Sequence, residues 1–127
     1  MNPEKLKYTK DHEWIGEEDG VYVVGITDYA AHQLGDVTYI ELPKAGREVA
    51  QHDEVAVVES VKAAGDVYAP VSGTVTEAND ELEAQPELVN QDPFGTGWFF
   101  KLDGIDTAEL AALMDYAAYK TFCDSLD

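Results

Sequence analysis

Apolar runs in this chain are short, and most of them have a glycine or a proline at or close to one end. Gly20-Val21-Tyr22-Val23-Val24-Gly25-Ile26 is bounded by glycines, and Val37-Thr38-Tyr39-Ile40-Glu41-Leu42 ends at Pro43, which has no N–H for a ladder. Such runs, rich in β-branched residues, are strands. The same holds for Glu54–Glu59, Val67–Val71, Thr74–Glu77 and Trp98–Leu102. Glu54–Glu59 has apolar residues on both faces and belongs in the middle of a sheet. Pro70 places Val67–Val71 at an edge or a strand end. Asp19-Gly20 suits a primed hairpin turn, Pro43–Gly46 and Gln51–Asp53 are further turns, and Asp92–Gly97 is a tight loop. Many short strands joined by Gly and Pro turns make a β sandwich or a partly closed barrel.

Helices are peripheral. Thr27 caps a short helix over Asp28–Leu34, and Gly35 ends it. Glu87–Asn90 is one helical turn with Pro86 at its start. Asp106 and Glu109 have capping-box spacing, and Leu110, Leu113, Met114 and Ala117 share one face of a terminal helix that seats against the sheets. Tyr8–Trp14 has no clear periodicity. The 127 residues read as one domain, residues 1–127, large enough to bury a core.

Composition narrows the partners. Asp and Glu number 26 against 8 Lys and Arg, a net charge of −18. That surface repels phosphate backbones and anionic membranes, so no nucleic-acid or membrane role is expected. It favours partners with basic docking faces. The lone Cys123 excludes an internal disulfide and reads as a small packing residue. His12, His32 and His52 lack metal-ligand spacing. No signal or transit pattern opens the chain, and no apolar run approaches membrane-span length, so a cytoplasmic protein is expected; a monomer is taken as its simplest state.

One stretch carries chemistry: Glu59-Ser60-Val61-Lys62-Ala63-Ala64-Gly65-Asp66. A two-sided apolar strand enters it and another strand leaves it, so the middle is a hairpin tip. It presents one of the few lysines, flanked by small residues that leave the amine accessible. A lysine in a turn is ordinarily only a solvated charge.

The wider pattern decides between these. Val57 to Gly73 around Lys62 resembles the lipoylation loop of the glycine cleavage system H protein family. His12-Glu13-Trp14 resembles that family's N-terminal segment, and Gly25–Ala30 with Leu34-Gly35-Asp36 its first helix region. Glu87–Asn90 with Asp92–Gly95 and Gly97-Trp98 resembles the segment before its last strand. Biotin carriers typically hold their lysine between methionines. Lipoyl domains of 2-oxoacid dehydrogenases commonly have Asp where Val61 stands. Two positions depart from the family: Gly65, where it often has serine, and Asp11, where some members have serine.

The resemblance implies a mainly β barrel-sandwich hybrid of two small antiparallel sheets, with a short helix in the N-terminal half and helices at the C-terminus. It implies lipoate in amide linkage on Lys62, and no enzymatic activity of the chain's own. The arm would shuttle an aminomethyl group from glycine decarboxylase (P protein) to the aminomethyltransferase (T protein), then be reoxidised by dihydrolipoyl dehydrogenase (L protein). A lipoate-attaching enzyme is a fourth partner. Glu13 and Asp66 match acidic positions that hold the cationic amine of the loaded arm in a cleft, with Asp11 as a weaker third contact. Glu59 lies where the attaching enzyme could read the loop, or where it could cap the hairpin. Three other readings stay open: an H-like lipoate donor or sulfur-oxidation carrier, an unmodified acidic interaction module, and a hydrolase with paired carboxylates.

Overall fold

The computed structural model describes residues 1–126. A 3-10 turn, Pro3–Lys5, opens the chain. The strands are β1 (Lys7–Tyr8), β2 (Glu13–Glu18), β3 (Val21–Ile26), β4 (Val37–Glu41), β5 (Glu48–Val49), β6 (Glu54–Ser60), β7 (Ala64–Tyr68), β8 (Gly73–Ala78) and β9 (Phe100–Asp103). The helices are α1 (Asp28–Leu34), α2 (Glu81–Ala84), α3 (Leu88–Gln91), α4 (Thr107–Ala111) and α5 (Tyr116–Leu126). All pairings are antiparallel. One sheet has the order β1-β2-β3-β9-β8-β5, the other β4-β6-β7.

Strand alternation explains the packing. Ile15 and Val24 join Val55, Val58 and Val67 of the small sheet and Phe100 and Leu102 in one core. Their neighbours Trp14 and Val23 join Leu6, Tyr8, Tyr119 and Cys123 in a second cluster, under α5. The large sheet is therefore covered on both faces near its β1 end. Trp14 lies over Gly25, whose missing side chain leaves room for the indole. The indole N–H donates to the Pro93 carbonyl at 3.0 Å. Burying a side chain of this size stabilises the fold by about 3 kcal/mol.

Several local expectations hold. Asp19 and Gly20 have φ of 53° and 86°, as a primed turn requires. The Thr27 hydroxyl accepts from the Ala30 N–H at 3.2 Å, and Gly35 ends α1 at φ 75°. β6 is the central strand of its sheet. Cys123 is buried.

Other expectations change. The residues preceding Trp14 form β1 and the start of β2, stabilised from outside the segment. The terminal helix is two helices. Met114 leaves the helical path and exchanges backbone hydrogen bonds with Tyr8, at 2.8 and 3.0 Å, while Asp115 caps the next helix at the Ala118 N–H. The capping box is half formed. Asp106 accepts from the Ala108 and Glu109 N–H groups, but the Glu109 carboxylate turns to the Ser72 N–H (2.7 Å) and hydroxyl (3.2 Å). Ala69, Pro70 and Val71 lie outside β7, which instead begins early, at Ala64. Among the described residues no helix is long and apolar enough to cross a membrane.

Candidate functional site

The β6–β7 hairpin closes more tightly than its sequence suggests. Glu59 pairs with Ala64, Val58 with Gly65 and Val57 with Asp66. The tip is therefore Ser60-Val61-Lys62-Ala63. Gly65 is a strand residue rather than part of the tip, and nothing lies within 4 Å of where its side chain would stand. Serine in that position would fit without strain.

Ser60 closes the turn. Its N–H donates to the Ala63 carbonyl at 2.8 Å. Its hydroxyl oxygen accepts from the Lys62 and Ala63 N–H groups at 3.2 and 3.1 Å and itself donates to the Ala63 carbonyl at 3.1 Å. A serine turn of this kind satisfies backbone groups that a hairpin tip otherwise leaves to water. The capping role considered for Glu59 thus belongs to Ser60. Glu59 is exposed, opposite Ala64 on one side and Tyr39 on the other.

The Lys62 side chain is exposed at this tip. Among the described residues the ion pairs are made by Lys101, with Glu18 and Glu77, so Lys62 is not held by a carboxylate. Its stem runs over Gly35, where a Cβ would stand 3.2 Å from Cε. The Val61 N–H donates to the Asp36 carbonyl at 3.1 Å, tying the tip to the turn between α1 and β4. An exposed amine with Ala63, Ala64 and Gly65 beside it has room for an amide-linked group.

The two carboxylates suggested as a cleft lie in unlike surroundings. Glu13 is 1% exposed. Its Oε1 accepts from the Thr9 hydroxyl at 2.6 Å and its Oε2 from the Tyr68 N–H at 3.2 Å. Burial pushes its carboxyl up to about 7; the hydrogen bonds from Thr9 and Tyr68 oppose this, and the charge of Asp11 adds to it. Asp66 is exposed on β7, two residues from Tyr68, and borders a shallow groove with Lys44 and Arg47. Both carboxylates meet β7, one enclosed and one open.

The histidines serve structure or solvent. His12 Nδ1 lies 2.8 Å from the Tyr119 hydroxyl, which is 2.7 Å from the Thr27 hydroxyl. Burial holds the His12 imidazole below its ordinary value, while Asp11 opposes that shift. His32 and His52 are exposed. Among the described residues no group of three His, Cys, Asp or Glu is placed to hold a metal ion.

Sequence reasoning missed the support beneath the tip. Ser60 sits two residues before the lysine, and that spacing is the one local sign of its turn. The contributions of Asp36, through its carbonyl, and of Asn90, whose side-chain amide bonds the Gly35 carbonyl and the Val37 N–H, have no local signal, since both act across long stretches of chain.

The family model described as "Glycine cleavage H-protein" matches residues 6–126. The chain belongs to the glycine cleavage H-protein family. It is 56% identical over 117 residues to the glycine cleavage system H protein of Thermotoga maritima, covering 92% of this chain and 94% of that one. The corresponding protein of Bradyrhizobium diazoefficiens is 61% identical over 113 residues, covering 89% and 93%. The fold matches a crystal structure of a glycine cleavage system H protein from Mycobacterium marinum with a TM-score of 0.81 and 32% identity, over 94% of this chain and 99% of that one. The H-protein fold is the barrel-sandwich expected from the sequence. The chain is accordingly a non-catalytic lipoyl carrier of the glycine cleavage system.

Proposed function

We propose that Lys62 is the residue that carries lipoate, in amide linkage, and that residues 1–127 work as one carrier domain. The observation that carries this reading is the hairpin tip. It presents an exposed lysine, without an ion pair among the described residues, on two hydrogen-bonded strands, with its turn closed by Ser60. When bound, lipoate supplies a dithiolane that takes up an aminomethyl group and is afterwards reoxidised.

The chain's own residues do the rest. The rigid tip fixes where the arm starts, and tethering raises the local concentration of its end at a docked partner to about the millimolar range. The partners of this reading are the decarboxylase (P protein), the aminomethyltransferase (T protein), the dihydrolipoyl dehydrogenase (L protein) and a lipoate-attaching enzyme. A chain of net charge −18 steers basic docking faces toward it. Glu59 is exposed three residues before Lys62, which suits a reading contact for the attaching enzyme. Asp66, on β7, and Glu13, which accepts from the Tyr68 N–H of β7, are the acids we assign to the amine of the loaded arm, with Asp66 the accessible one. The relatives named above are bacterial, which supports a cytoplasmic carrier of bacterial type.

The test is peptide mass after exposure of the apo protein to a lipoyl ligase with lipoate and ATP. The expected result is one lipoyl group, on the peptide containing Lys62, and none in Lys62→Arg. Modification of the Lys62→Arg variant at another lysine would refute the assignment.

A further inference from the structure

We propose that Asn90 is a positioning residue for the modification of Lys62, acting through the turn between α1 and β4. This rests on Lys62 being the attachment site. The Asn90 amide behaves as a peptide group would in a ladder. Its Nδ2 donates to the Gly35 carbonyl at 2.8 Å, and its Oδ1 accepts from the Val37 N–H at 2.9 Å. These two bonds bracket Asp36. The Asp36 carbonyl receives the Val61 N–H, and Gly35 is the surface under the Lys62 stem. The tip's contacts outside its own hairpin, from Asp36 to Val61, from Val37 to Ser60 and from Gly35 to the lysine stem, therefore fall on the three residues that Asn90 holds.

The ladder alone does not fix that turn. β4 and β6 pair at Val37 and Ser60, but the register shifts between Val37 and Tyr39, so the regular pairing breaks at this end. The Asp36–Val61 bond lies beyond the break. Nor is Asn90 needed to seat its own helix, because Val89 buries itself in the core and anchors α3. A groove of about 840 Å³ between α1, α3 and α5 is lined by Gly35, Asp36 and Asn90. Water entering it can replace the amide bonds, so loss of the side chain loosens the turn without leaving buried polar groups unpaired.

The experiment uses the full chain in its apo form, with lipoyl ligase, lipoate and ATP, and follows backbone amide exchange by NMR beside lipoylation kinetics. In Asn90→Ala, amides of the core strands, such as Val58 and Phe100, are expected to keep their protection. The Val61 amide should exchange at least about tenfold faster. Lipoylation kcat should fall about tenfold with KM little changed, since the docking surface stays and only the aim of the amine is lost. Asn90→Asp keeps the acceptor for Val37 and loses the donor to Gly35, so it should fall between Asn90→Ala and wild type; it also serves if the alanine variant does not fold. Unchanged Val61 exchange, or protection lost equally from Val58 and Phe100, would overturn the proposal, the latter by showing a general stability role. Wild-type protein modified at another lysine would overturn it by a separate route, visible in the peptide mass before any variant is made.

Discussion

Glu13→Gln should alter how stability depends on pH, by an amount that follows from the site. The Glu13 carboxyl has an ordinary value of 4.5 and is pushed up to about 7 by burial. A carboxyl raised in the folded state binds more protons there than in the unfolded chain between those two values. Stability from this group is therefore greatest in acid and is lost as pH rises from 4.5 through 7. Each tenfold change in proton affinity corresponds to about 1.4 kcal/mol, and integrating the linkage between pH 5 and pH 8 gives a loss of about 2.5 kcal/mol. The group is almost wholly buried, so solvent screening removes little of this.

Glutamine matches Glu13 in shape. Its carbonyl can accept from the Tyr68 N–H, but the Thr9 hydroxyl oxygen already accepts from the Asp11 and Glu13 N–H groups, so the amide meets a filled acceptor, a cost that is the same at every pH. The variant carries no charge to bury. Urea unfolding of both proteins at several pH values checks this, and the difference between them cancels the other carboxylates. The expected difference grows in favour of Glu13→Gln by about 2.5 kcal/mol from pH 5 to pH 8. A difference that stays flat over that range would refute the reasoning, because it would mean that Glu13 titrates alike folded and unfolded.

Three further outcomes concern the tip and the arm. Gly35→Ala combines a φ of 75° with a Cβ placed 3.2 Å from Lys62 Cε, so it should cost about 1–2 kcal/mol in urea unfolding and displace the lysine stem; full wild-type stability would contradict both readings. Glu59→Gln should keep the wild-type melting temperature, since the side chain is exposed, while raising the KM of lipoylation; an unchanged KM removes Glu59 from recognition. Asp66→Asn should leave lipoylation intact and speed ammonia release from the loaded protein, measured enzymatically, and an unchanged rate would separate Asp66 from the arm.

What could be read in the sequence, and what could not, divides by the range of the interaction that decides each feature. β3 and β6 announce themselves because burial on a pleated surface selects β-branched residues locally. α1 is equally legible, since Thr27 and Gly35 act within its own turn. β2 hides because Trp14 and Ile15 are buried on opposite faces, one beneath α5 and one in the inter-sheet core, and no alternation survives. The terminal helix breaks at Met114 for a backbone partner, Tyr8, that is remote in sequence.

The same division runs through the site. The hairpin that presents Lys62 is legible because a two-sided strand, a run of small residues and a returning strand are contiguous, and the resemblance along the rest of the chain singles out the lysine. Its support is not, because hydrophobic periodicity reports which faces are covered and says nothing about where one polar side chain will bond. Asn90 is 53 residues from Val37, and Asp36 and Val61 are likewise separated by whole strands of chain. Each link is a single hydrogen bond or a pair of them, worth about 1 kcal/mol net apiece, too little to shape composition yet enough to choose the aim of a side chain. A carrier needs that aim more than it needs extra stability. The features that set the position of Lys62 are therefore the ones that propensity and patterning are least able to register.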